Sequence, residues 1–213
     1  MIRDGDPFGR ALASLRERLR AGVFGQGQPL AIVDIARDLD LSPTPVREAL
    51  ARLVGEGLIE DRRGRGFFSA RLDANDLAEL YDLEHLQLGF AVVSLATAER
   101  KGKTADVASL SPQNPAEESM ADLATAAEMV LDRIIKASGR MALRSWHQAL
   151  ATRLGPARRV EARVLAGVEP EIRRLAALLD AGDWGELRGE LRRFHRRRCS
   201  VANDVCATLR RRP

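Results

Sequence analysis

The stretch that most constrains this chain is residues 32–66, IVDIARDLDLSPTPVREALARLVGEGLIEDRRGRG. Ile32, Ile35, Ala36 and Leu39 recur at the spacing of one helix face, which predicts a short amphipathic helix. Asp34 falls in its first turn, where the helix dipole favours an acid. Asp40, Leu41 and Ser42 follow. A tight turn at this point needs a residue that tolerates positive φ, and Asp is one of the few non-glycine residues that does. Thr44 is placed as the N-cap of a second helix, with Pro45 at its first position. That helix turns Val46, Ala49, Leu50 and Leu53 inward and Thr44, Arg47, Glu48 and Ala51 outward. Gly57 ends it, Leu58-Ile59-Glu60 reads as a short strand, and Phe67-Phe68 returns as a second. Between the strands, Arg62-Arg63-Gly64-Arg65-Gly66 makes a tight basic tip, whose glycines permit the turn and let backbone approach a phosphate.

Helix, tight turn, helix and hairpin in that order is a winged helix-turn-helix. One apolar face against the domain, with short polar residues and an arginine near the N-terminus on the other, is the division a helix needs to read the DNA major groove. A helix-turn-helix pattern alone is common in all-α domains. The arginines on the hairpin serve no core, and they favour DNA over the alternative, a winged-helix interaction module whose helical domain binds a protein partner.

The run Leu41-Ser42-Pro43-Thr44-Pro45-Val46-Arg47-Glu48-Ala49-Leu50, followed by Leu53, Glu56-Gly57-Leu58 and Gly64-Arg65-Gly66, resembles the DNA-binding domain of GntR-family bacterial repressors. The resemblance covers residues 8–70, with the family's first helix matching Phe8 to Ala21. The chain departs from the family where Ala31-Ile32-Val33 replaces an acid-rich cap, where Asp40 replaces a glycine, and where Pro43 stands at a frequent arginine. By resemblance, Arg47 reads a guanine, Thr44 touches phosphate, and Arg63 and Gly64 reach the minor groove or backbone. Ser42, Arg52, Arg62 and Arg65 complete the candidate DNA contacts.

The 213 residues suit a winged helix-turn-helix domain over 1–71 and a second domain over 72–213. No 18-residue apolar run exists, so no membrane span is expected. The start, MIRDGDPFGR, lacks the apolar centre of a signal peptide, so a cytoplasmic protein is expected. A net charge of +4 permits DNA binding without making the chain a general polycation. Cys199 and Cys206 are seven apart in one expected helix, about 10 Å at the usual rise, too far for a disulfide. Reduced thiols are the reading.

Beyond the linker Arg71–Asn75 the pattern is helical throughout. A long amphipathic helix runs from Asp76 to about Arg100, a loop from Gly102 to Pro115, and further helices near 116–137, 140–165, 168–181 and 184–211. Gly155-Pro156 predicts a kink or break. The fold class is therefore mainly α: a winged helix-turn-helix followed by an all-helical bundle. Asp76 to Tyr81, Ala137-Ser138-Gly139, and Leu178 to Asp183 followed by Phe194-His195 resemble the FadR/FCD branch of the family. That branch dimerises through the bundle and holds a small effector, often a carboxylic acid, and many members bind a divalent metal through an Asp and three His. Here those positions fall at Ala127, Leu131, Pro170 and His195, with Asp132 adjacent, so no metal and no cofactor are expected. Arg133 and Arg144, each within an apolar helix, and His195 are the candidate effector contacts. The basic run Arg192-Arg193, Arg196-Arg197-Arg198 and Arg210 to Arg212 reads as a solvated helix face and a frayed end, with supplementary phosphate contact as the alternative. A single winged helix buries little surface, so a homodimer on a palindromic operator in double-stranded DNA is expected. No catalytic triad, paired-carboxylate motif, phosphate loop or metal cluster is present in the sequence, and no enzymatic activity is expected.

Overall fold

The computed structural model describes residues 6–102 and 120–211. Its first helix, α1 (Pro7–Arg20), begins at an Asp6 cap whose carboxylate accepts the Phe8 N–H at 3.1 Å, with Pro7 in the first helical position. Helix α2 (Ile32–Asp38) leads into the turn, where Asp40 has φ +52° and Leu41 N–H donates to the Ala36 carbonyl at 2.9 Å. The turn chemistry expected of Asp40 is what the backbone uses.

Helix α3 (Pro43–Gly55) starts two residues earlier than the Thr44 cap predicts. Ser42 holds the cap position and Pro43 the first helical one; Pro45 still lies within the first turn, where no N–H has an intrahelical carbonyl to meet. The hairpin strands β1 (Ile59–Arg62) and β2 (Gly66–Ser69) are antiparallel, with Ile59 opposite Ser69 and Arg62 opposite Gly66. They run longer than the expected strands because the turn is confined to the tip, where Arg65 N–H reaches the Arg62 carbonyl at 2.7 Å and Gly64 has φ +71°. The segment before α2 borders β2, with Leu30 N–H on the Phe67 carbonyl at 2.8 Å. Leu15, Val46, Ala49, Leu50 and Leu53 are fully buried in the core that α1, α3 and the wing enclose.

Asp73 and Asp76 form a capping box at the start of α4 (Ala74–Arg100), the longest helix. The remaining helices are α5 (Met120–Ala137), α6 (Met141–Glu161), α7 (Val168–Ala181), α8 (Trp184–Ser200) and α9 (Ala202–Arg210). Helix α8 lies along α4, α5 packs on α6 and α7, and α9 sits against α4 and α6. The expected loop beyond Gly102 and residues 116–119 of the expected helix lie outside the described residues.

Two helix expectations are corrected. The 184–211 segment is two helices divided at Val201, which has φ −111° and ψ 13°. Pro156 does not break α6, which runs through it. Its neighbour Gly155 serves the packing instead, because α1 crosses there so closely that a Cβ on Gly155 would lie 2.3 Å from the Arg20 carbonyl oxygen. Beside that crossing, Arg20 Nε donates to Glu128 Oε2 of α5 at 2.7 Å. Among the described residues no helix is long and apolar enough to cross a membrane.

Candidate nucleic-acid interface

Burying Val46, Ala49, Leu50 and Leu53 turns the opposite side of α3 outward, so Thr44, Arg47, Glu48, Ala51 and Arg52 are exposed together with the cap residue Ser42. Arg47 and Pro43 share an open groove with Asp61, Gly64 and Arg65 of the wing. The start of α3 and the hairpin tip therefore face one space. Among the described residues Arg47 and Arg63 have no hydrogen-bond or ion-pair partner in the chain. Both guanidiniums are free to meet an outside anion, and arginine suits this because its planar fork matches a phosphate or a guanine edge.

The other predicted contacts divide. Arg52 Nε is held by Glu56 at 2.8 Å, and Glu56 also takes Arg16 at 2.6 Å. Burial pushes the Glu56 carboxyl up, yet the two guanidiniums more than offset this and hold it below the usual carboxylate range. Arg52 thus serves an ion pair that ties α3 to α1. Arg62 pairs with Glu60 at 2.8 Å and lies 4.2 Å over the Phe68 ring, while Arg65 stands 5.9 Å from that ring. The expectation that wing arginines serve no core needs correction for Arg62, which covers the wing's own aromatic.

The helical region carries a polar interior. Glu84 is fully buried, paired with Arg158 and 3.1 Å from His195 Nε2. Burial would raise the Glu84 carboxyl; Arg158 and His195 override this and hold it far below the usual range. Arg198, also fully buried, bonds Glu161 at 2.7 Å and Glu171 at 2.9 Å and stacks 3.2 Å from the Phe194 ring. Tyr81 donates its hydroxyl to Glu161 at 2.8 Å. His147 is buried beside this group, and burial pushes its imidazole down. The expectation of a solvated basic face needs correction for Arg198. It falls on the apolar stripe of α8 with Leu187, Leu191 and Phe194, as Glu84 falls on that of α4 with Leu77, Tyr81 and Leu88. A charge at a stripe position was the signal available.

The three candidate effector residues are not brought together as free groups. Arg133 is buried and bonded to Asp180, and His195 has Nδ1 on the Leu191 carbonyl at 2.7 Å and Nε2 on Glu84. Arg144 is exposed on α6. Nor do the residues fit the divalent metal that the resemblance implies. Ala127 and Leu131 are apolar core residues, Pro170 has no donor, Asp132 pairs with Lys136 at 2.5 Å, and the carboxylate facing His195 already holds a guanidinium. Cys199 and Cys206 are free thiols; burial and then Asp82 push Cys199 up to about 11.

Residues 9–68 match the profile of the bacterial regulatory proteins, gntR family. The chain is 35% identical over 100 residues to an HTH-type transcriptional regulator from the TAR-I ttuE-ttuC' intergenic region of Agrobacterium vitis, covering 47% of this chain and 58% of that protein. It is 43% identical over 60 residues to the Nta operon transcriptional regulator of Aminobacter aminovorans, covering 28% of this chain and 29% of that one. The matches thus span less than two thirds of either relative. Among solved structures, E. coli McbR/YncC superposes with a TM-score of 0.67 at 22% identity, covering 93% of this chain and 98% of the other. A transcriptional regulator GntR from Rhodococcus sp. RHA1 gives 0.68 at 18%, covering 92% and 96%. Those two share the fold from end to end, winged head and helical region alike. The chain carries, over residues 9–68, the helix-turn-helix domain of the gntR family of bacterial regulatory proteins.

Proposed function

We propose that this chain is a dimeric, sequence-specific DNA-binding regulator of transcription, a cytoplasmic repressor released by a small organic acid. Residues 1–71 serve as the DNA-binding domain, and residues 72–213 as a dimerising, ligand-responsive bundle of the FadR/FCD kind. The observation that carries this reading is a pair of exposed, unpartnered guanidiniums in a gntR-type head: Arg47, which lines the groove between α3 and the wing, and Arg63, beside the groove residue Gly64 at the wing tip. A helix in the major groove with Arg47 on a base edge leaves the hairpin over the adjoining backbone, so Arg63 and Gly64 meet phosphate. Ser42 and Thr44, exposed at the start of α3, are in position for the flanking phosphates.

Two features support the dimer and the response. On α4, Leu83, Leu86 and Phe90 form a stripe of large apolar side chains, exposed by 47–68%. A patch of this kind on one helix face marks an interaction surface, and a second copy of the same helix covers it in a two-fold arrangement. The head rests on α6 through the Gly155 crossing and on α5 through Arg20–Glu128, so a shift of the bundle helices moves α1 and, through their shared core, α3.

Selection of duplexes from a random pool by the full-length chain tests the reading. Enriched sites with two inverted half-sites about one helical turn apart are expected. A single half-site, or no enrichment above background, contradicts the dimeric regulator.

A further inference from the structure

We propose that the groove between α4 and α8 binds a small carboxylate with an apolar body. The proposal rests on the reading that such an acid controls the protein, and it supplies the anchor that Arg133 and His195, both already engaged, do not. The groove has a volume of about 460 Å³, within the range of ligand sites. Arg188 and Arg192, one turn apart on the outer side of α8, and Arg100 at the end of α4 line it. Of the other arginines of α8, Arg193 pairs with Glu190 at 2.5 Å, Arg197 with Glu171 at 3.1 Å and Arg198 with Glu161 at 2.7 Å, while Arg196 is exposed and lies outside the groove. Among the described residues Arg188 and Arg192 have no partner, and Arg100 reaches only the Ala96 carbonyl of its own helix, at 3.2 Å. Nearby Glu99 is turned to the Trp184 indole N–H at 2.5 Å.

The space between these arginines is apolar. Val93, 45% exposed, and the partly exposed Ala96 and Trp184 line it, and Gly189 puts no side chain into it. Packing does not demand that glycine, since the nearest atom to an added Cβ is Arg193 Nη1 at 3.8 Å. Three guanidiniums with no ion-pair partner around an apolar trough recognise one chemistry: a carboxylate gripped by the planar forks, with its hydrocarbon laid on Val93, Ala96 and the Trp184 ring.

Calorimetry on the full chain tests this with hexanoate and, as the uncharged control, hexanamide. Wild type binds hexanoate, and hexanamide binds about tenfold more weakly or worse, the worth of a charge-assisted pair. The surface variant Arg188→Gln/Arg192→Gln loses at least about tenfold, while Gly189→Leu, which keeps every charge and fills the trough, abolishes binding. Absence of hexanoate binding to wild type, or equal binding by both variants, overturns the proposal. Adding operator duplex separates the two readings. Hexanoate that binds in the groove but leaves DNA affinity unchanged upholds the site and defeats the effector reading. Release of DNA to the same extent from wild type and double variant upholds the effector and defeats the site.

Discussion

The winged head and the helical region solve the same packing problem with different chemistry. Among the described buried residues of the head, Ser69 is the one polar side chain; the rest are aliphatic, alanine or Phe68. The helical region buries Glu84, Arg158, Glu161, Glu171, His195 and Arg198 within one linked set of ion pairs, with His147 beside it. Apolar burial is non-directional and tolerates exchange at constant volume. A buried ion pair contributes little net stability while intact, yet removing one partner leaves an unpaired charge that cannot reach water. The head is therefore held by volume and the bundle interior by pairing.

The largest expected effect sets these against each other. Glu84→Ala leaves buried Arg158 with only the Glu161 carboxylate, 3.9 Å away, and is expected to cost about 3–5 kcal/mol in denaturant unfolding. The double change Glu84→Leu/Arg158→Met is expected to recover most of that loss, because no charge is left uncompensated. Leu50→Ala in the head costs about 2–5 kcal/mol as a cavity, and no second polar change rescues it. Similar losses for the single and the double bundle variants would end the contrast.

Next in size is the seam between the regions. Gly155→Val places a side chain where the Arg20 carbonyl now lies, and about 1–3 kcal/mol of overpacking is expected. The change should also loosen the head from α6, read as faster proteolysis between residues 70 and 76 with the bundle helices intact. Unchanged cleavage would mean that the seam does not fix the head.

The smallest effect is the response to acid. Burial lowers the His147 imidazole below its ordinary 6.5, so the unfolded chain takes up that proton first. The stability due to neutral His147 is complete above pH 6.5 and declines as pH falls from there toward its folded value. Glu84, whose carboxyl is also lowered, adds a second loss below its ordinary 4.5. Melting of the helical region should thus fall in two stages on acidification, and His147→Leu should flatten the first. A melting temperature level down to pH 5 would contradict the burial of a neutral histidine.

The head was legible from sequence because its signals are local. Asp40 announced a positive-φ turn, the apolar period of Val46 to Leu53 set the outward face, and glycine spacing placed the wing tip. What failed there was the cap, placed two residues late: Pro43 and Pro45 can both open a helix, so Thr44 reads as the cap where Ser42 holds it. The bundle was legible as helices and not as an interior. Arg198 sits in a run of five arginines among seven residues, and only its place one turn after Phe194 separates it from solvated neighbours. Partners such as Glu84 and Arg158 lie 74 residues apart, and no local pattern links them. Gly155-Pro156 read as a break because its reason, the crossing of α1, is a tertiary contact.

The central claim is that the head delivers Arg47 to a base edge. The direct measurement compares wild type and Arg47→Ala on a duplex selected by wild type, at one salt concentration, alongside an unrelated duplex. A loss of about 1–3 kcal/mol on the selected duplex, with binding to the unrelated one and the melting temperature unchanged, is the expected result. Equal affinity of the two proteins for the selected duplex would contradict it.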